Sequence, residues 1–237
     1  MQRNFFNTIA ISSIALVGML GASRPALLQD AKTPYPNMAP VEQYLMERSD
    51  EIALARSAAP ESISGDAEVM VLGRHDYETA GKGKNGFVCM VLRSWTAGID
   101  EPDFWNPKLR APHCFNPPAV RSYLPIILKK TDLVLAGRSK AQMAEAIDAA
   151  FEKKELPQQE PGAMCYMMSK QGYLNDRAGH WRPHVMFFAP LTEPAAWGAD
   201  VSGSPVLASK DTLDRLTIFM VPVGHWSDGT PDEKDEH

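Results

Sequence analysis

The stretch Val69–Leu92, VMVLGRHDYETAGKGKNGFVCMVL, decides the fold more than any other part of the chain. It opens and closes on apolar runs, with a polar connection ending in Lys-Gly-Lys-Asn-Gly between them. Two such runs around a glycine- and asparagine-rich loop predict paired strands. Both runs are apolar at nearly every position, so the middle of the sheet should be covered on both faces. Moved along by 96 residues, the stretch falls without a gap on CYMMSKQGYLNDRAGHWRPHVMFF, Cys165–Phe188. Tyr77 then lies on Tyr173, Gly83 on Gly179, Met90 on Met186 and Arg74 on Lys170. A helical pattern precedes each copy. The recurrence reads as a duplicated helix-strand-strand unit, residues 41–92 and 137–188.

Working outward, VEQYLMERSDEIALARSAA, Val41–Ala59, sets Val41, Leu45, Ile52 and Ala55 on one helical face. Pro40 suits its start and Pro60 its stop. The segment Ala119–Gly137 predicts a helix kinked at Pro125 and closed by Gly137, although its Ile, Leu and Val content also allows strands. Ser139 is a good N-cap for the next helix, where Met143, Ile147 and Phe151 form a stripe. AMCYMMS, HVMFFAP and RLTIFMVPVG read as further strands. The expected class is α+β: an antiparallel or mixed sheet of about five strands, helices packed on it, and two similar halves.

The ends differ from this pattern. Arg3 precedes an apolar stretch from Ile9 to Leu20, followed by small residues, which is the layout of a cleavable signal peptide over residues 1–22. Spanning a bilayer takes about 20 apolar residues, so no stable membrane span is expected after processing. Residues 23–40 read as a linker, 41–226 as one globular domain, and the acidic residues 227–237 as a disordered tail. A periplasmic or secreted location follows from the leader.

Composition excludes some partners. The net charge is −5 and no basic patch interleaves with aromatics, so nucleic acid is not an expected partner. Three cysteines allow one internal disulfide at most, and if one forms Cys89–Cys114 is the expected pair, tying a strand end to the irregular loop. Cys165 and Cys89, both in apolar strand runs, read as inert core residues rather than nucleophiles.

Chemical signatures are sparse. His180-Trp181-Arg182-Pro183-His184 has two histidines with three residues between them. On a strand the rings stand about 13 Å apart at about 3.3 Å per residue, too far for one metal ion. Neither a metal nor a cofactor is therefore expected, and no catalytic residue is assigned. Asp176 and His75 would join that cluster only if the two loops met. The Pro-rich stretch 95–118 holds Asp100, Glu101 and Asp103 beside Phe104 and Trp105, and Cys114 beside His113. Such a long irregular loop often carries function. The expectation is an exported soluble protein binding a small apolar or aromatic molecule between its halves, lined by Tyr77, Trp105, Tyr173 and His180. The alternative is a hydrolase using carboxylate or histidine chemistry in the 95–118 loop.

Overall fold

The computed structural model describes residues 34–176 and 181–233. The strands are β1 (Glu68–Leu72), β2 (Tyr77–Gly81), β3 (Val88–Leu92), β4 (Ala111–Phe115), β5 (Met164–Met167), β6 (His184–Pro190), β7 (Leu207–Asp211) and β8 (Leu216–Pro222). They form one sheet in the order β2-β1-β3-β4-β5-β6-β8-β7. The helices are α1 (Arg48–Arg56), α2 (Glu61–Ser64), α3 (Pro117–Ser122), α4 (Leu124–Leu135) and α5 (Lys140–Glu152). The α+β class holds, but the sheet has eight strands rather than about five.

The three unexpected strands have physical reasons. β2 lies inside the polar connection after Leu72, where only Tyr77 is buried and the exposed edge position asks for no apolar alternation. β4 carries Pro112, a residue that argues against a central strand because it cannot donate to the ladder. Yet β4 is flanked by β3 and β5, and all five of its residues are buried. β7 is mostly exposed and polar, so it leaves no hydrophobic trace.

The opening stretch also pairs differently from its reading. β1 and β3 are adjacent but parallel, and β2 returns antiparallel on the outer side of β1. β5 and β6, by contrast, are antiparallel neighbours. The two segments thus join their strands in different ways, and the duplicated unit finds no support.

Period-two alternation divides the sheet into two cores. One face carries Val69, Val71, Cys89, Val91 and Cys114, with Ala55, Ala58 and Ala59 at and beyond the end of α1 packed in the same cluster. The other carries Met90, Leu92, Phe115, Cys165, Met186 and Phe188 against residues of α3, α4 and α5. The helices follow local rules. The chain breaks between α3 and α4 at Tyr123, ahead of Pro125. α4 ends with Gly137 at φ 73°, whose N–H donates to Val134 while that of Arg138 donates to Leu133. Ser139 caps α5 reciprocally with Gln142, and Met143, Ile147 and Phe151 are buried as expected.

The segment Val41–Ala59 is not one helix. A short 3-10 turn, Val41–Gln43, precedes α1, and Tyr44 between them is fully buried. Its hydroxyl donates to the carbonyl of Trp105, a contact that a continuous amphipathic helix does not anticipate. Residues 34–40 lie against the body, with Tyr35, Met38 and Ala39 packed on the larger core. Part of the acidic end is held too: Ser227 donates to Met168, Asp232 donates to Gly224, and the Asp232 side chain is buried. Among the described residues no helix is long and apolar enough to cross a membrane.

Candidate functional site

Over the larger core, residues of α3, α4 and α5 pack on one face of the sheet. There Ala111 and His113 of β4, Met167 of β5, His184, Met186 and Phe188 of β6, and Ile218 and Met220 of β8 point the same way. With Leu92, Leu109, Tyr123 and Leu174 they line a cavity of about 290 Å³. Its walls are almost wholly apolar. Arg93, at the end of β3, closes one corner, but its guanidinium is fully engaged by Glu51 and the carbonyls of Tyr44 and Val91.

Besides Arg93 and Thr96, whose hydroxyl donates to the Arg93 carbonyl, three polar side chains line this cavity. His113 Nδ1 lies 2.9 Å from the carbonyl of Ala111, and His184 Nδ1 lies 2.8 Å from that of Arg182. A carbonyl only accepts, so each Nδ1 carries the proton and each Nε2 keeps its lone pair. Burial pushes His113 down to about 4, with the neighbouring His184 adding to the shift and the Ala111 carbonyl opposing it. Burial lowers His184 as well. Both rings are therefore neutral acceptors at neutral pH. The third group is Tyr123, whose ring stacks on Phe188 at 4.1 Å between centroids. Burial, and then the carboxylates of Asp214 and Asp211, hold its hydroxyl well above the ordinary range, so it remains a donor.

A second cavity, about 250 Å³ and richer in polar groups, shares Thr96, Ala97, Tyr123 and Ile218 with the first. Nearby, Lys130 of α4 pairs with Asp214 at 2.5 Å, both buried. Asp214 is nonetheless raised to about 6, because desolvation outweighs the attraction of Lys130. A larger cavity, about 770 Å³, lies beside the end of α5. Its prominent cation, Arg215, is already paired with Glu152 and stacked over Phe151.

The residues singled out from sequence are not brought together there. Tyr77 is buried and spends its hydroxyl on the carbonyl of Val91. Trp105 lines a different depression beside Gly137 and Ser139. Tyr173 exchanges backbone hydrogen bonds with Arg110, and its hydroxyl donates to Asp176, as does that of Tyr35. Only its neighbour Leu174 reaches the cavity. His180 lies outside the described residues, and His75 is exposed. Asp100 and Glu101 line the second cavity, while no carboxylate lines the first.

No known family, curated protein or solved structure matches this chain. Its chemistry therefore has to be read from the cavity alone. His113 and Tyr123 were legible in part: alternation over Ala111–Phe115 puts His113 on a face with Phe115, but Pro112 conceals the strand.

Proposed function

We propose that the chain is an exported binding module for a small apolar or aromatic molecule carrying a hydrogen-bond donor. The supporting observation is an apolar cavity lined by two imidazole acceptors and one phenolic hydroxyl, for whose Nε2 and hydroxyl groups the described residues supply no hydrogen-bond partner. Apolar walls supply affinity at about 25 cal/mol per Å² of surface taken from water. The few polar groups fix orientation, because a ligand that fails to satisfy them leaves buried acceptors unpaired. Phenols and indoles meet both demands. Among the described residues no carboxylate lines the cavity beside either histidine, which favours binding over carboxylate-assisted hydrolysis.

Titration of leader-free protein with an environment-sensitive apolar fluorophore, displaced by phenol and indole, tests the reading. Saturable binding lost in Ala111→Trp, which fills the cavity, is the expected result. Equal binding by the filled variant and the parent would defeat it.

A further inference from the structure

The cavity holds a second pattern, in its sulfur and nitrogen atoms. The β3–β4 register pairs Met90 with His113. The β4–β5 register pairs Cys114 with Tyr166 and Phe115 with Cys165, and carried one residue further it sets His113 beside Met167. The β5–β6 register pairs Met167 with His184. Met90, His113, Met167 and His184 thus form a row across four adjacent strands, neighbours about 4.8 Å apart. In the next row Met186 pairs directly with Met220. All of these except Met90 line the cavity.

Both imidazoles are prepared alike. Each ring lines the cavity and is fixed by donating Nδ1–H to a backbone carbonyl two residues earlier, which leaves its Nε2 lone pair available. A carbonyl on the far nitrogen is the outer-shell arrangement that orients metal-bound histidines and sets their tautomer. The pair comes from β4 and β6, not from the His180–His184 spacing, so a sequence motif gives no hint of it.

The donor set selects the ion. Among the described residues no group of three or more His, Cys, Asp or Glu side chains gathers into a metal site. Calcium and magnesium need oxygen donors, and structural zinc takes four ligands of the imidazole, thiolate and carboxylate kinds. What this cavity offers is two neutral nitrogens and three thioethers within apolar walls. Thioethers are soft, and they suit monovalent copper.

We propose that His113, Met167 and His184 form a Cu(I) site, with both imidazole Nε2 atoms and the Met167 Sδ as ligands and Met186 and Met220 as adjacent thioethers. The ion would use the same Nε2 lone pairs as a donor-bearing organic ligand and so compete with it, but the two are detected by different signals. Ligation needs no electron transfer, because the ion enters and stays as Cu(I).

The test is an anaerobic titration of full-length, leader-free protein with Cu(I), in competition with a chromophoric chelator and without thiol reductant. One equivalent retained by the wild-type chain is expected, with nitrogen and sulfur scatterers in X-ray absorption. Loss of a ligand should weaken retention by about tenfold or more, judged by the effect of losing even outer-shell partners. His113→Leu and His184→Leu should each do so. Met167→Leu, which conserves volume, should remove sulfur scattering while circular dichroism stays unchanged. Cys165→Ala should retain the ion. No stoichiometric Cu(I) on folded wild-type protein, retention by the His113→Leu/His184→Leu double variant, or loss in Cys165→Ala would each overturn the assignment. Failure of fluorophore binding with Cu(I) retained would strike only the apolar-ligand reading.

Discussion

Cys89 on β3 and Cys114 on β4 stand directly opposite one another and are joined by a disulfide. Cys114 is thus a strand residue, whereas its sequence places it in the irregular loop, and the bond crosslinks two central strands on the face covered by α1.

Replacing both cysteines by alanine should lower the unfolding free energy by about 3 kcal/mol, the scale for a closed loop of this length. Urea denaturation measures it. Alkylation of the unreduced protein should modify Cys165 alone, and only after unfolding, because that thiol is buried. Three modified thiols would contradict the crosslink.

The buried pair of Glu51 and Arg93 ties α1 to the end of β3. One Glu51 oxygen accepts from Arg93 at 2.8 Å and from the Leu72 amide at 3.0 Å. Glu51→Leu alone should cost about 3–5 kcal/mol, since it strands a buried guanidinium. Removing both charges should cost less than the two single losses combined. A double-mutant cycle in denaturant reads the coupling, and strict additivity would rule it out.

Gly137 closes α4 in the left-handed region at φ 73°, with no atom near enough to obstruct a methyl group. Gly137→Ala should therefore cost only the backbone term, about 1 kcal/mol. A thermal midpoint lowered by a few degrees would agree; an unchanged or raised midpoint would not.

His113 makes stability depend on pH. Its folded value, about 4, lies below the ordinary 6.5, so between these limits the unfolded chain binds more protons. Stability from this group is complete above about pH 6.5 and is lost as pH falls toward 4, by about 3 kcal/mol. Asp214, raised to about 6, acts in the opposite sense over part of that window. The informative measurement is therefore the difference between metal-free wild type and His113→Leu. The variant should gain on the wild type as pH falls from 6.5 to 4, and parallel profiles would refute the linkage.

The sequence was readable where local chemistry dominates. The break before Pro125, the glycine closing α4 and the reciprocal cap at Ser139 each depend on a few neighbouring residues, and each occurs. Strand pairing was less readable, because an apolar run does not state its partner: Val69–Leu72 and Val88–Leu92 suit a hairpin as well as parallel neighbours. β2 and β7 lie at exposed edges and bury too little to leave a pattern. The candidate site was least readable. His113 and His184 are brought to one cavity by the register of three strands, information that no short motif contains.

The order of the sheet places its most apolar strands in the interior and, among the described residues, leaves β2 and β7 at its margins. Both margins are inhospitable to another chain. β2 presents Glu78 and Thr79 and lies against an irregularity in β1, and β7 presents Ser209 and Lys210. Charged, short and distorted edges resist strand-to-strand growth. Strand-to-strand growth is thus opposed at both ends of the sheet, and at the β7 end, where Leu207 stays exposed, Ser209 and Lys210 are the side chains that oppose it.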